Sequence, residues 1–176
     1  KNLKIKLNSV KFKLDIKKLN LFVETSNPTI KHNEIFIPVK NVKIYLDFVS
    51  LFKSSPKIEK VNLEVENLKL KKIKELSFLI KPSNLKSLLL NELQSINISS
   101  QIDIFVDKNN NFKNFIARGS VSNLDSVIVK KLKIYDTNFN LFADTTDIIL
   151  NKFNGKLDGI EILDGDLKMT LLPDLS

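Results

Sequence analysis

The residue types that most often carry catalysis or bind metals are nearly absent from this chain. His32 is the only histidine and there is no cysteine. A serine–histidine–aspartate arrangement would have to use His32, which lies in the polar, turn-like stretch 31–34. A histidine or cysteine metal site needs several such ligands. We therefore expect His32 to be a solvated turn residue, and we expect no thiolate or histidine metal site.

A group of carboxylates near the end of the sequence is the remaining candidate for chemistry. Asp158, Glu161, Asp164 and Asp166 are close together, and a glycosidase needs only two such groups. The spacing around the neighbouring glycines places them in turns and on the polar side of strands, and the segment lacks the Gly and Glu positions of an EF-hand calcium loop. We interpret them as solvated acids and predict a non-enzymatic protein without catalytic residues, metal or cofactor.

The positive charge does not by itself indicate a nucleic-acid partner. The formal net charge is +8, but Arg118 is the only arginine, and the guanidinium group is the better bidentate ligand for phosphate. The lysines are spread along the chain, and the phenylalanines mostly share strand parity with Ile and Leu. We expect no nucleic-acid binding. A basic polyanion-binding module, with lysines clustered beside exposed aromatic rings, is the least favoured alternative.

The dominant sequence pattern has a period of two, which is typical of strands with one apolar and one polar face. Apolar residues alternate with polar ones in the stretches 3–7, 10–16, 19–23, 35–39, 42–46, 61–70, 96–106 and, less regularly, 115–171. The parity slips at Glu66-Asn67, which predicts a β-bulge there. Three dipeptides, Asn154-Gly155, Asp158-Gly159 and Asp164-Gly165, are of the hairpin type and predict closely set hairpins between residues 150 and 172.

Two places break this alternation. Residues 48–52 predict one helical turn with Asp47 as its N-cap, and Leu85, Leu88, Leu89 and Leu93 form a helical apolar stripe after Ser83. Residues 72–80 fit a helix about as well as a strand, and we predict a helical segment there. The fold class is thus mainly β: a long antiparallel meander forming a curved, twisted open sheet, with short helices near 48–52 and 83–93.

One stretch is more specific than the rest. Residues 41–70 contain a strand that leads into Asp47, then a turn with Leu51 and Phe52, then Ile58-x-x-Val61-x-Leu63 at the start of a long strand. This order resembles the AsmA-like family of bacterial envelope proteins. The segment from Asn154 to Leu167, with its Gly155, Gly159 and Gly165, is similar to the strand repeats of the same family.

The resemblance implies a protein that is anchored in the inner membrane, extends through the periplasm and conducts phospholipids towards the outer membrane along an apolar β-groove. Residues 1–176 would be a single segment of that groove, with the membrane anchor elsewhere in a longer polypeptide. Its partners would be phospholipid acyl chains. The predicted lining residues are Ile5, Leu7, Ile35, Ile37, Val39, Val61, Leu63, Val65, Ile96, Ile98, Ile102, Ile104 and Val106.

A structural alternative stays open from the residues alone. Alternation shows only that each strand has one apolar face, and a closed β-sandwich or barrel would cover that face with protein. Such a scaffold or adhesion domain would conduct no lipid. The alternative and the groove differ in whether the apolar face is continuous and accessible.

Overall fold

The computed structural model describes residues 3–16, 20–47, 50, 57–79, 84–107, 109, 111–128 and 132–170, and every structural statement below concerns these residues. The first strands are short: β1 (Leu3–Lys6), β2 (Lys11–Asp15), β3 (Asn20–Ser26), β4 (Thr29–His32), β5 (Ile35–Ile37) and β6 (Asn41–Leu46). The later strands are long: β7 (Ile58–Lys69), β8 (Leu93–Val106), β9 (Phe112–Ile128), β10 (Leu132–Asp144), β11 (Asp147–Leu157) and β12 (Ile160–Thr170).

The strands form two antiparallel sheets. The large sheet has nine strands in the order β12-β11-β10-β9-β8-β7-β6-β3-β2, and the small sheet has three in the order β1-β4-β5. From β6 to β12 every strand pairs with its successor in sequence, which is a meander. The outer strands β2 and β12 do not pair with each other. The predicted fold class, a mainly β, antiparallel and open sheet, is confirmed.

Two helical segments connect β7 to β8. Helix α1 (Leu70–Ser77) follows β7 directly, so the predicted helix near 72–80 is present, but Leu70 begins it rather than continuing the strand. A helical turn at Asn84–Ser87 continues as a π-helical turn at Leu88–Glu92, where a helix was predicted. Most of the predicted turn at 48–52, and the proposed cap Ser83, lie outside the described residues.

A row of left-handed residues crosses the sheets at one level. Asn67, Asn123, Asp136, Lys152 and Asp164 have φ between 52° and 54° although each lies inside a strand, and Asn27 between β3 and β4 has φ 49°. We call the line formed by these six residues the crease. The ladders of the long strands shift register beside it. Five of the six residues are Asn or Asp, which tolerate this conformation best after glycine.

Side chains on neighbouring strands hold the crease residues in place. Between β9 and β10 the bonds are reciprocal: Asn123 N donates to Asn138 Oδ1 at 3.1 Å, and Asp136 N donates to Asp125 Oδ1 at 2.9 Å. Each acceptor stands two residues after a crease residue on its own strand. Every such bond therefore ties two strands together at the point where the regular ladder is interrupted.

The same arrangement recurs between β11 and β12. Lys152 N donates to Asp166 Oδ1 at 3.3 Å, and Asp164 N donates to Asn154 Oδ1 at 3.0 Å. On β7 the partner is a hydroxyl, because Asn67 N donates to Ser99 Oγ at 3.2 Å. The bulge predicted at Glu66-Asn67 is thus confirmed, and the equivalent bulges on β9 to β12 were not predicted.

The bulges keep the same face of the sheet apolar along the whole strand. One extra residue reverses the alternation of side chains. In β11, for example, Leu150 and Phe153 share a face because Lys152 is inserted between them. Leu150 pairs with Leu167 of β12, and Phe153 pairs with Gly165; both partners lie on the apolar face. Without the inserted residue, the part of each bulged strand beyond the crease would place its polar side chains on the apolar face.

Only one of the three predicted hairpins between 150 and 172 is present. Asp158 and Gly159 form the two-residue turn between β11 and β12, with φ 47° and 89°, as a type I′ turn requires. Asn154-Gly155 and Asp164-Gly165 lie inside strands instead. The prediction was wrong there because Asn and Asp before Gly also suit a bulge. Gly155 is needed for close approach, since a Cβ there would lie 2.1 Å from Thr137 Oγ1.

The molecule buries little apolar surface for its size. Its accessible surface is 12250 Å², whereas a compact monomer of 20.1 kDa exposes about 8,700 Å². Among the described residues, the buried apolar side chains are Val39, Val42, Ile73, Leu93 and Val121. The sheet is therefore held mainly by strand pairing and half-buried side chains rather than by a deep core.

The crease contacts lead to a first prediction. Asn154→Ala removes the acceptor for Asp164 N and should lower the free energy of unfolding by about 1 kcal/mol. Asn151→Ala is the matched control, because Asn151 is exposed on the same strand and makes no side-chain hydrogen bond in the described part of the chain; its effect should stay within about 0.5 kcal/mol. Urea unfolding followed by circular dichroism measures both, and equal effects would contradict the role given to the crease.

Candidate functional site

The apolar face of the large sheet is continuous from strand to strand. Residues directly opposite each other on neighbouring strands have side chains on the same face, so the register of the ladders defines rows across the sheet. The longest row crosses eight strands in the order Thr25, Val42, Leu63, Ile102, Ala117, Ala143, Ile148 and Met169. No member of this row is charged.

Neighbouring rows on the same face have the same character. One runs Phe12, Val23, Ile44, Val61, Ile104 and Phe115. Another runs Val65, Ser100, Gly119, Leu141, Leu150 and Leu167. Beyond them Phe139 stacks on Phe153, with ring centroids 5.9 Å apart. The face is thus a broad surface of aliphatic and phenyl groups with a few small polar residues.

This face is only partly covered. In the longest row, Thr25 and Val42 at the β3 end are buried, the members from Leu63 to Ile148 are half-buried, and Met169 at the β12 edge is 52% exposed. In the neighbouring row, Phe12 on β2 is 74% exposed. Helix α1 packs near β5, β7 and the start of β8, beyond the crease. Large contiguous apolar surfaces on monomers are typical of interaction sites, so this face is the candidate site.

The structure brings together some of the predicted lining residues and separates others. The six that share the apolar face of the large sheet are Val61, Leu63, Val65, Ile98, Ile102 and Ile104. Ile5 and Ile37 both flank Ile30 in the small sheet, while Ile35 pairs with His32 there. Leu7 follows β1, Val39 is buried before β6, Ile96 lies on β8 near the crease, and Val106 pairs with Phe112 after a register shift.

The half of the apolar face that belongs to β9–β12 was not predicted from the sequence. Ala117, Leu141, Ala143, Ile148 and Leu150 continue the rows that Leu63 and Val65 begin. The alternation was visible in 115–171, but four unrecognised bulges reversed its parity. The signal that would have identified them is a polar residue at each reversal, followed two positions later by Asp or Asn, as in Asn123-x-Asp125.

The opposite face carries the charges, and several of them form ion pairs. Glu24 accepts a hydrogen bond from Asn41 Nδ2 at 2.9 Å, forms an ion pair with Lys13, and lies 3.7 Å from Lys43 Nζ. The Asn41 and Lys13 hydrogen bonds lower the pKa of Glu24 to about 2. Lys43 in turn lies over the ring of Phe22.

A second polar cluster lies on β7, β8 and β9. Asp103 accepts a hydrogen bond from Asn62 Nδ2 at 2.9 Å and has Lys60 Nζ at 3.4 Å and Arg118 at 3.8 Å. Lys60 also lies over the ring of Tyr45, 4.5 Å from its centroid. Each of the two clusters thus sets two cations around one carboxylate, so the carboxylates are paired and each cluster keeps one positive charge in excess.

The residues considered as candidates for catalysis or metal binding lie in turns and at strand ends. His32 is the last residue of β4 rather than part of the turn, which consists of Asn33 and Glu34. Asp158 Oδ1 accepts the N–H of Lys133 at 2.8 Å. Within the described residues no group of acidic or histidine side chains is arranged to hold a metal ion, and no helix there is long and apolar enough to span a membrane.

Comparison with protein-family models, with curated proteins and with solved structures finds no significant match to this chain. The arrangement of side chains is therefore the basis for a functional proposal.

The Glu24 cluster leads to a second prediction. Because the pKa of Glu24 is lowered to about 2 from 4.5, its charged form stabilises the fold above pH 4.5, and this contribution is lost as the pH falls towards 2. Glu24→Gln should cost on the order of 1–2 kcal/mol at neutral pH and almost nothing near pH 2. Urea unfolding at several pH values measures this.

The control for that measurement is Glu161→Gln, on the exposed side of β12, where Glu161 makes no ion pair in the described part of the structure. It should leave the free energy of unfolding nearly unchanged at neutral pH. A Glu24→Gln penalty that persists undiminished at pH 2 would contradict the assigned role of the carboxylate charge.

Proposed function

We propose that this chain is a segment of an AsmA-like bacterial envelope protein, and that its apolar sheet face conducts phospholipid acyl chains between the inner and outer membranes. The observation that carries the proposal is the uncharged row from Thr25 to Met169, which crosses eight strands without interruption. The order of elements around Asp47, with β6 ending just before it and β7 beginning at Ile58, supports the family assignment.

The dimensions of the row suit an acyl chain. Neighbouring strands lie about 4.8 Å apart, so eight strands span about 34 Å. One leaflet of a bilayer has a hydrocarbon thickness of about 15 Å. A lipid chain lying across the strands would therefore contact only part of the row at a time, and the row continues in both directions beyond it.

The chemistry of the face suits movement rather than tight binding. Each buried methylene contributes about 0.8 kcal/mol wherever it lies on an apolar surface, because the hydrophobic effect is not directional. Successive positions along the row, such as Leu63, Ile102 and Ala117, are chemically alike. An acyl chain that moves by one strand exchanges one aliphatic contact for another, so no single position binds it more tightly than the next.

The charged head group would remain outside the apolar face. Within the described strands the rows contain no cationic residue, and the lysines of the large sheet lie on the opposite face or at its ends. On the polar face, the Glu24 and Asp103 clusters gather lysines from neighbouring strands. This separation predicts that the face selects for acyl chains and contributes little to head-group specificity.

Photo-crosslinking tests which face contacts lipid. A benzophenone amino acid at Ile102, on the apolar face, should form adducts with phospholipid during expression. The same group at Gln101, its neighbour on the polar face, should form few. Mass spectrometry of the purified protein counts the adducts. Adducts to protein alone at Ile102 would instead favour a covered face and a scaffold function.

A charge placed on the apolar face should displace co-purifying lipid. Leu141→Glu puts a carboxylate into the row between Gly119 and Leu150, where acyl chains would have to desolvate it. Asn140→Glu places the same charge on the opposite face of the same strand. Lipid extraction should recover several-fold less phospholipid from Leu141→Glu than from Asn140→Glu, with circular dichroism showing that both are folded. Equal recovery would contradict the proposal.

A further inference from the structure

The connection between β7 and β8 forms a basic surface at one end of the long strands. Between residues 69 and 92 the sequence contains six lysines and two glutamates. Glu75 forms an ion pair with Lys72, whereas Lys69, Lys71 and Lys74 form no ion pair in the part of the chain that the structure describes. The connection therefore keeps an excess of positive charge that its own carboxylates do not neutralise.

Helix α1 gathers part of this charge on one of its sides. Ile73 and Ser77, four residues apart, are its buried side chains. Lys71 and Lys74 lie on another side, and Lys71 is exposed. Phe78 follows the helix directly and keeps helical backbone angles, with φ −68° and ψ −17°. Residues three, four and seven positions apart share a helix side, so Phe78 lies on the side of Lys71 and Lys74.

Phe78 is an exposed apolar ring within this basic surface. It is 63% exposed, and Lys86 Nζ lies over its ring, 5.5 Å from the centroid. Full burial of a phenyl side chain contributes about 1.5–3 kcal/mol, which Phe78 does not gain in the folded chain. A ring surrounded by lysines is typical of interfacial segments, in which the ring enters the boundary of head groups and acyl chains while the cations meet the phosphates.

We propose that this surface docks on an anionic phospholipid bilayer, with Phe78 inserted below the head groups and Lys71 and Lys74 beside their phosphates. These three residues and Lys86 form what we call the docking surface. Strand β7, which contributes to the apolar rows, continues directly into α1, so docking places the end of that strand beside the membrane. The proposal goes beyond lipid conduction and stands without it, since the docking surface shares no residue with the apolar rows.

A single-stranded nucleic acid is the competing partner, because lysines beside aromatic rings also bind phosphates and bases. Base stacking needs an open ring face, and Lys86 already lies over the ring of Phe78. Insertion into lipid needs only an exposed apolar ring with cations around it, which is the arrangement present here. The structure therefore favours a membrane, and the two partners differ in whether Phe78 enters an apolar environment.

A tryptophan reporter tests the insertion. The chain contains no tryptophan, so Phe78→Trp introduces a single indole at the docking surface. Vesicles of equimolar phosphatidylglycerol and phosphatidylcholine should shift its fluorescence to shorter wavelength, because the ring leaves water, and vesicles of phosphatidylcholine alone should not. Adding Lys71→Gln and Lys74→Gln should raise the lipid concentration at half-maximal shift about 25-fold, which is about fivefold for each lysine near an anionic surface.

The matched controls lie at the opposite end of the long strands. Phe112 is 61% exposed and begins β9 at the end away from α1, so the fluorescence of Phe112→Trp should not shift with either vesicle. Lys57→Gln with Lys113→Gln removes two lysines at that same end. In the Phe78→Trp background this pair should change the half-maximal lipid concentration by less than about twofold. Circular dichroism checks that each variant is folded.

Several outcomes would overturn the proposal. They are a Phe78→Trp reporter that anionic vesicles do not shift, an equal shift of Phe112→Trp, and a shift produced by oligothymidylate but not by vesicles. Leu141→Glu, which should displace lipid from the apolar face, should leave the Phe78→Trp shift unchanged. Docking and lipid conduction can therefore fail separately, and a shift lost in Leu141→Glu would place the membrane contact on the sheet face instead.

Discussion

The hydrogen bond from the N–H of a left-handed residue to a side-chain oxygen on the neighbouring strand is the interaction on which this sheet depends. A left-handed conformation costs a residue other than glycine about 1–2 kcal/mol, and Asn or Asp reduces that cost. The bonds that Asn138 and Asp125 accept offset the remainder and replace the ladder bonds lost at the bulge. Without them, the long strands would keep an unbroken alternation and present polar side chains to the apolar face beyond the crease.

The two faces of the sheet are stabilised by different forces. On one face, Glu24 and Asp103 each gather several donors from neighbouring strands, which fixes register across the polar face. On the other face, no directional contact is needed, since aliphatic side chains pack wherever they meet. This division leaves the apolar face chemically uniform, and that uniformity is what the proposed passage of acyl chains requires.

Much of the fold follows from sequence patterns, and the exceptions have physical causes. The meander, helix α1 and the bulge at Asn67 were predictable because each produces a distinct periodicity or a parity slip. The bulges at Lys152 and Asp164 were missed because Asn154-Gly155 and Asp164-Gly165 suit a hairpin equally well, and only pairing with a neighbouring strand decides between them. Half of the candidate site lies on β9–β12, where four bulges reverse the alternation, so residues such as Ala117 and Leu141 could not be assigned to a face from the sequence.

The order of the strands also determines how the sheet comes apart. From β7 to β12 each strand pairs only with the strands next to it in sequence, and the core is too small to couple distant strands. Such a structure resembles a linear array, in which the free energy of unfolding is approximately the sum of a contribution from each strand and a contribution from each pair of neighbouring strands. It should therefore fray from β2 and β12 inward, with β8 and β9 opening last. Amide exchange would be fastest at the edges and slowest at the centre, a gradient that a single cooperative core does not produce.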